Sequence, residues 1–207
     1  THLYNTDLLR PSFDKIIEHL KNEQPDILGI SAVVSTSYAF AKRLSIAVKE
    51  ALPNTTILMG GNLGASAEII LKKTGVEYLC TGEGEKTAVE FVNCWLTSQT
   101  KSDFKDVEGL AYLDENKELV ITPYPDPIPA EEVYDIDWSI LEDLGELSQY
   151  VKQYNCTQIA NYFPKDLRKH EPHRIGKTFA MLSASKGCVA RCTFCHRWDK
   201  GLSLIHI

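Results

Sequence analysis

The stretch Ile27–Val34 reads ILGISAVV, an apolar run interrupted only by a glycine and a serine. A nearly continuous apolar run of this length is typical of a strand that is buried on both faces of a parallel sheet. A helix that crosses a bilayer needs about 20 apolar residues, so the run is far too short to span a membrane. It therefore predicts a buried central strand of an α/β domain.

Helical patterns flank this run on both sides. In Ser12–Lys21 the apolar side chains recur three and four positions apart, and Ser12 is a candidate N-cap. In Ala39–Leu52 they recur at four-residue steps, which again predicts an amphipathic helix.

Further along the chain, short apolar strands alternate with helices. Thr56–Met59 and Tyr78–Cys80 are predicted strands, and Ala65–Lys73 is a predicted helix with Gly75 as its C-terminal cap. Strands that alternate with helices through short connections indicate βαβ units and a parallel sheet. The predicted fold class is therefore α/β, with a Rossmann-like (flavodoxin-like) parallel sheet.

All three predicted strands end in loops rich in serine, threonine, glycine or asparagine. Ligands of open parallel sheets bind in the crevice outside the carboxyl ends of the strands. The candidate ligand-binding residues are Ser31, Ser35, Thr36, Ser37, Gly60, Gly61, Asn62, Gly82, Glu83, Gly84 and Glu85.

The acidic residues of the third loop limit what this ligand can be. Glu83 and Glu85 lie at the start of a predicted helix that runs through Trp95, where they favour the helix dipole. They would repel a phosphate, so the loop does not fit a phosphate-binding glycine motif. Hydroxyls, flat glycine backbone and a carboxylate suit a large ligand with amide or hydroxyl edges. The alternative is that the glycines only make tight turns and the glutamates only cap a helix.

A hairpin and a proline-rich segment follow. The segments 109–113 and 118–122 read as two strands joined by a polar turn. Four prolines at alternate positions from Pro123 to Pro129 favour an extended linker. We predict a domain at 1–98, a hairpin and linker at 99–177, and the start of a second domain at 178–201.

The second predicted domain begins with a cluster of cysteines. Ser185–Trp198 reads SKGCVARCTFCHRW and places Cys188, Cys192 and Cys195 in a C-x3-C-x2-C array. Three thiolates within eight residues will bind a soft metal centre. A structural zinc needs four protein ligands, and His196 is poorly placed as the fourth because it directly follows a ligand. A [4Fe–4S] cluster fits the number of ligands, with one iron left open, while zinc remains the alternative.

Composition narrows the class of protein further. With 43% hydrophobic and 24% charged residues the chain can bury a core, and its net charge of −6 argues against nucleic acid as the main partner. Six cysteines, three of them clustered, suggest ligands and not a secreted disulfide framework. We expect a cytoplasmic protein with neither a membrane nor a nucleic-acid partner.

The cysteine array resembles the signature of radical S-adenosylmethionine enzymes, in which an aromatic residue precedes the last cysteine, here Phe194. The resemblance implies that Cys188, Cys192 and Cys195 hold a [4Fe–4S] cluster and that its open iron chelates S-adenosylmethionine. It also implies that Phe194 lies against the adenine. Reductive cleavage of S-adenosylmethionine would then give methionine and a 5′-deoxyadenosyl radical.

The upstream segments resemble the cobalamin-binding domain that precedes the radical domain in the B12-dependent branch of this family. The resemblance is carried by PDILGIS at Pro25–Ser31, the glycine pair Gly60–Gly61, and GEGE at Gly82–Glu85. It implies that the loops Ser35–Ser37, Gly60–Asn62 and Gly82–Glu85 line the corrin. An Asp-x-His-x-x-Gly motif does not occur, so a histidine ligand below the cobalt is not implied.

Against this family, we expect the chain to be a fragment truncated at both ends. The first strand of the cobalamin domain and nearly all of the radical barrel are missing from it. The tail LSLIHI at 202–207 resembles translated sequencing adapter, so we expect it to be an artefact. The chain alone is expected to be inactive, and no catalytic residue is assigned.

The expected activity of the whole enzyme is radical methyl transfer from methylcobalamin to an unactivated centre, although rearrangement and cyclisation also occur in this branch. The expected partners are a small-molecule or natural-product-like substrate and an electron donor such as a flavodoxin or ferredoxin. The competing interpretation is a non-catalytic corrinoid or metal-binding module with a structural zinc or an electron-transfer cluster.

Overall fold

The computed structural model describes residues 2–33, 35–98, 100–126 and 128–129, together with Ser139, Thr193 and the dipeptides 152–153, 178–179, 185–186 and 205–206. One compact unit contains Asn5–Pro129. Most of the predicted linker and second domain lies outside the described residues. So do the four residues predicted to bind the cluster and S-adenosylmethionine: Cys188, Cys192, Phe194 and Cys195.

A five-stranded mixed sheet forms the centre of this unit, and its strand order follows the chain order from β1 to β5. Strands β1, β2 and β3 pair in parallel, whereas β4 pairs antiparallel with β3 and β5 pairs antiparallel with β4. The strands are β1 (Ile27–Ser31), β2 (Thr56–Gly60), β3 (Tyr78–Cys80), β4 (Leu110–Leu113) and β5 (Leu119–Ile121). The predicted α/β class is confirmed, and the predicted hairpin extends the same sheet. The sheet therefore runs past the domain boundary predicted at residue 98.

Five α-helices surround the sheet within residues 5–129: α1 (Thr6–Leu9), α2 (Phe13–Glu23), α3 (Tyr38–Ala51), α4 (Ala67–Lys73) and α5 (Gly84–Thr97). Short 3₁₀ segments lie at Ser35–Ser37, Asn62–Ser66 and Lys101–Asp106. The predicted N-cap is present at α2, where the Ser12 hydroxyl accepts a hydrogen bond from the Lys15 backbone N–H at 3.4 Å. Such a cap satisfies one of the N–H groups that every helix start leaves unpaired.

One face of the sheet packs against α5 and the third 3₁₀ segment through aromatic side chains. The Tyr78 ring lies 4.9 Å from Phe91 and 4.7 Å from Phe104, measured between ring centroids. Phe91 is fully buried. Burial of such a side chain stabilises the fold by about 2–3 kcal/mol relative to leaving it exposed to water. The strands β1 to β3 are connected through α3 and α4, and right-handed crossovers place both helices on the opposite face.

The strand at Ile27–Val34 departs from its prediction. It ends at Ser31, its apolar residues are only half-buried, and Gly29 and Ser31 are exposed. The prediction of a strand buried on both faces is therefore wrong. The reason is its position, because in the described sheet β1 is an edge strand paired only with β2.

Gly75 also differs from its predicted role as a left-handed helix cap. The cap of α4 is Thr74, which is extended. A Cβ added at Gly75 would lie 2.5 Å from the Ser45 carbonyl oxygen, and the Gly75 N–H donates to the Ser45 hydroxyl at 3.1 Å. Glycine is therefore required here because the loop after α4 crosses α3 at close range.

A polar network joins α3, β2 and β3 at the amino edge of the parallel strands. The Glu77 carboxylate accepts hydrogen bonds from the Ile57 backbone N–H at 3.1 Å and from Lys49 Nζ at 3.0 Å. Lys49 Nζ also donates to the carbonyl oxygens of Pro53 and Thr55, each at 2.9 Å. One lysine therefore ties the last turn of α3 to the loop that leads into β2.

Glu77→Ala is expected to lower the free energy of unfolding by about 1–2 kcal/mol, since the substitution leaves the Ile57 backbone N–H without its acceptor and removes the ion-pair partner of Lys49. Urea titration followed by circular dichroism measures this loss. The matched control is Glu68→Ala, which breaks the exposed ion pair with Lys72 and is expected to leave the urea midpoint within error. Equal midpoints for the two variants would contradict a structural role for Glu77.

Two further strand pairs lie in a second compact unit. Lys152–Gln153 pairs antiparallel with Thr178–Phe179, and Ser185–Lys186 pairs antiparallel with Ile205–His206. Within the part of the chain that the structure describes, no helix combines the length and the apolar character needed to cross a bilayer.

Candidate functional site

The carboxyl ends of β1, β2 and β3 lie side by side at one edge of the sheet. Ser31 is directly opposite Gly60 in the parallel register, and the Ala32 N–H continues this pairing to the Gly60 carbonyl at 2.9 Å. The structure therefore brings Ser31, Gly60–Asn62 and Gly82–Glu85 to a common edge, as the fold class requires. Their role as ligand contacts stays a prediction.

The first loop forms a 3₁₀ turn over Ser35–Ser37 that leads directly into α3. The side chain of Thr36 is exposed. Ser37 occupies the N-cap position, but its hydroxyl makes no capping hydrogen bond to the described helix. Both hydroxyls are therefore available to a ligand at this edge.

The two glycines of the second loop have different surroundings. A Cβ added at Gly60 would meet no atom within 4 Å, so this position faces open space. A Cβ added at Gly61 would lie 2.4 Å from the Ala32 carbonyl oxygen, and Gly61 has a φ of 98°. The fold therefore requires glycine at position 61, whereas the space next to Gly60 is free for a ligand.

On the face of the sheet that packs against α5, part of β1 and β2 next to the carboxyl edge is uncovered. Strand alternation and register place Gly29, Ser31 and Gly60 together on the face that packs against α5, and we call these three residues the bare strip. No atom would contact a Cβ at Gly29 within 4 Å. The strip offers flat backbone to a broad ligand that lies against the sheet.

The helix α5 packs over the same face of the sheet as the bare strip and carries exposed apolar residues. The Trp95 indole N–H donates to the Thr56 hydroxyl at 3.0 Å, which fixes that side of α5 over β2. The adjoining side exposes three apolar residues, with exposed fractions of 61, 38 and 68%: Val89, Val92 and Leu96. We call these three residues the apolar stripe of α5.

The third loop turns from β3 into α5. Glu83 is the N-cap residue in extended conformation, and Glu85 lies exposed in the first helical turn. The segments 31–37, 60–66 and 81–85 contain no lysine, arginine or histidine. An edge without cationic side chains and with two glutamates is poorly suited to phosphate and well suited to a ligand rich in neutral amides.

Two residues at this edge were not among the sequence candidates. Thr81 follows β3 directly, is 5% exposed, and its hydroxyl has no hydrogen-bond partner among the described residues. Its backbone N–H donates to the Gly109 carbonyl at 2.8 Å, so Gly109 brings the hairpin to the same edge. The only sequence signal for Thr81 was its place between a strand and a glycine loop.

The two described thiols, Cys80 in β3 and Cys94 in α5, are structural. Burial raises the pKa of the Cys80 thiol to about 11, and burial also raises the pKa of Cys94. Both thiols are therefore protonated at neutral pH and are poor metal ligands. The described residues contain no group of three or more histidine, cysteine or acidic side chains placed to hold a metal. The metal prediction therefore rests on the chemistry of the Cys188, Cys192 and Cys195 donor set.

A sheet whose parallel strands end in glycine- and hydroxyl-rich loops belongs to the Rossmann-like class of ligand-binding domains. Residues 2–92 of the chain match the family described as the B12 binding domain. This match covers β1 to β3 and all three candidate loops.

The chain is also similar in sequence to two curated relatives. The chain is 26% identical over 189 residues to an anaerobic magnesium-protoporphyrin IX monomethyl ester cyclase of Cereibacter sphaeroides, covering 90% of this chain and 27% of the relative. It is 25% identical over 204 residues to a cytidylyl-2-hydroxyethylphosphonate methyltransferase of Streptomyces wedmorensis, covering 92% of this chain and 37% of the relative. The chain thus spans 27% and 37% of the lengths of these two relatives.

A solved structure shares the fold. The cobalamin-dependent S-adenosylmethionine radical enzyme OxsB, with aqua-cobalamin and S-adenosylmethionine bound, matches 94% of this chain and 23% of its own, with a TM-score of 0.63 and 22% identity. Together these matches confirm the resemblance to B12-binding radical S-adenosylmethionine proteins. The open face at Gly29 and Gly60 and the cation-free, hydroxyl-rich edge fit cobalamin, which is broad, flat and rich in amides.

Proposed function

We propose that the chain is part of a cobalamin-dependent radical S-adenosylmethionine enzyme and that the carboxyl edge of β1 to β3 binds cobalamin. The observation that carries the proposal is the bare strip, which leaves flat, uncovered backbone beside three polar loops. The match of residues 2–92 to the B12 binding domain supports the same ligand.

In this proposal, different groups of residues contact different parts of cobalamin. Gly29 and Gly60 admit the flat face of the ligand, and the apolar stripe of α5 covers its hydrophobic parts. The hydroxyls of Ser31, Thr36 and Ser37 bond to its amide edges. Glu83 and Glu85 accept hydrogen bonds from amide N–H groups and discourage free phosphates from entering the crevice.

The cysteine array supplies the second cofactor site. We assign Cys188, Cys192 and Cys195 as ligands of a [4Fe–4S] cluster, because three thiolates leave one iron open, and Phe194 as a contact to the adenine of S-adenosylmethionine. When bound, the cluster and S-adenosylmethionine would supply a radical by reductive cleavage, and cobalamin would supply a transferable methyl group. Residues 178–201 are thus the start of the radical domain.

Radical methyl transfer to an unactivated centre of a small molecule is the activity we propose for the whole enzyme. The similarity to a methyltransferase of Streptomyces wedmorensis supports it, and the similarity to a cyclase makes ring formation the second candidate. An electron donor such as a flavodoxin or ferredoxin would supply the reducing electron, and cysteine-rich cluster chemistry suits a reducing cytoplasm.

The first experiment tests the cobalamin site. The intact protein is mixed with hydroxocobalamin, separated from free ligand by gel filtration, and examined by absorption spectroscopy. Corrin bands that co-elute with the protein are the expected result. Their absence from a folded sample would refute the cobalamin proposal.

The second experiment separates an enzyme from a non-catalytic metal module. The full-length enzyme is purified anaerobically, reconstituted with iron and sulfide, reduced, and given S-adenosylmethionine. We expect 5′-deoxyadenosine to form. A cluster that assembles but yields no 5′-deoxyadenosine would favour an electron-transfer or structural centre.

Gly60→Ala is expected to leave the fold intact and to weaken hydroxocobalamin binding about tenfold, or about 1.4 kcal/mol, because its methyl group occupies space that the ligand needs. Spectroscopic titration measures the affinity, and thermal melting checks the fold. Since a Cβ at Gly60 meets nothing within 4 Å, the melting temperature should not fall. Unchanged affinity would place the ligand away from the bare strip.

A further inference from the structure

The feature behind this inference is the buried hydroxyl of Thr81. Five buried polar side chains are found among the described residues: Ser45, Thr55, Thr81, Thr87 and Thr122. Four of them donate to a backbone carbonyl, at distances of 3.1, 2.8, 2.9 and 3.1 Å for Ser45, Thr55, Thr87 and Thr122. Thr81 alone has no hydrogen-bond partner for its hydroxyl within the described part of the chain.

The orphaned hydroxyl cannot be explained by the needs of the sheet. The Thr81 backbone N–H already continues the pairing of β3 through its bond to the Gly109 carbonyl at 2.8 Å. The side chain plays no part in that pairing, so a valine of the same shape would fill the position equally well. A buried hydroxyl without a partner lowers stability, which makes threonine the less favourable residue for folding alone.

The place of Thr81 in the fold gives its hydroxyl a use. Met59 is opposite Leu79 in the register, and continuing that register puts Thr81 opposite Gly61, at the carboxyl edge. Thr81 therefore lies between the glycine pair of the second loop and Gly82 of the third. Strand alternation places its side chain on the face opposite the bare strip, so its hydroxyl would meet a ligand that extends over the carboxyl edge. Rotation about its Cα–Cβ bond redirects the hydroxyl without moving the backbone.

We propose that Thr81 is a binding residue of this crevice, whose hydroxyl is completed by a hydrogen bond to an amide group at the edge of the ligand. The inference rests on the proposed cobalamin site and adds to it a residue that lies outside the three predicted loops. A carboxamide suits the position because a hydroxyl both donates and accepts, as an amide does. The Thr81 hydroxyl thus lowers the stability of the ligand-free protein and raises its affinity for the ligand.

The test compares three variants of the intact protein with hydroxocobalamin as the probe. Thr81→Val should melt at the same or a higher temperature without ligand and bind hydroxocobalamin about tenfold more weakly, the loss expected for one buried hydrogen bond. Thr81→Ser keeps the hydroxyl and should retain affinity. The control Thr122→Val removes a hydroxyl bonded to both Leu110 N–H and C=O, so it should melt lower with unchanged affinity.

Each other outcome has a definite meaning. If the wild type binds and Thr81→Val binds equally well, the role of Thr81 is refuted and the cobalamin site stands. If Thr81→Val unfolds or melts well below the wild type, the hydroxyl has a structural role and the inference fails. If the folded wild type retains no corrin, both the site and the role of Thr81 fall together.

Discussion

Replacing Gly61 by alanine is expected to lower the free energy of unfolding by about 3–5 kcal/mol, which is much of the stability of an ordinary domain. Two costs add. The φ of 98° is unfavourable for any residue with a side chain, and the new methyl group would lie 2.4 Å from the Ala32 carbonyl oxygen. Ala32 cannot retreat easily, because it is 1% exposed and its N–H is bonded to the Gly60 carbonyl.

Urea unfolding of the intact protein, followed by circular dichroism, measures this loss. Gly60→Ala is the matched control, since it adds the same methyl group one residue earlier, where nothing lies within 4 Å. The two neighbouring variants should differ by several kcal/mol in stability. Similar midpoints would mean that the turn after β2 is not held as the structure describes.

In the full-length enzyme, Cys192→Ala is expected to abolish the proposed iron–sulfur cluster and, with it, the proposed cleavage of S-adenosylmethionine. The array supplies three thiolates for three irons, so removing the middle one leaves two ligands, too few to hold a cluster. Iron analysis, visible absorbance and 5′-deoxyadenosine production should all fall to background.

The same variant should still bind hydroxocobalamin, because the proposed cobalamin site contains no residue of the array. This retained binding separates loss of the cluster from loss of the fold. Cys94→Ala is the control, because Cys94 is a partly buried thiol on α5 that is not a predicted ligand of the cluster. Unchanged iron content in Cys192→Ala would remove the array from the cluster assignment.

The parts of the fold that follow from local chemistry could be predicted from the sequence. The Ser12 cap, the spacing of Ile16 and Leu20 in α2, and the strand at Tyr78–Cys80 depend on residues close together in the chain. The carboxyl edge could be predicted as well, because parallel strands with short connections must end on the same side.

Features that depend on distant neighbours were predicted wrongly or missed. The apolar run at Ile27–Val34 looks fully buried, but how far a strand is buried depends on what lies on both its sides, and β1 has one partner in the described sheet. Gly75 looked like a helix cap, whereas the requirement comes from Ser45, thirty residues earlier. Thr81 was missed because an absent hydrogen bond leaves no mark on a sequence.

The order of strands in the sheet also bears on how the protein is made. Because β1 to β5 occur in space in the order in which they are synthesised, each new strand pairs with the one that left the ribosome just before it. Pairing between strands that follow one another in the chain keeps the entropy cost of each closure low, and such sequential contacts favour rapid folding. The described sheet can therefore grow during translation, with each exposed edge covered as soon as the next strand emerges.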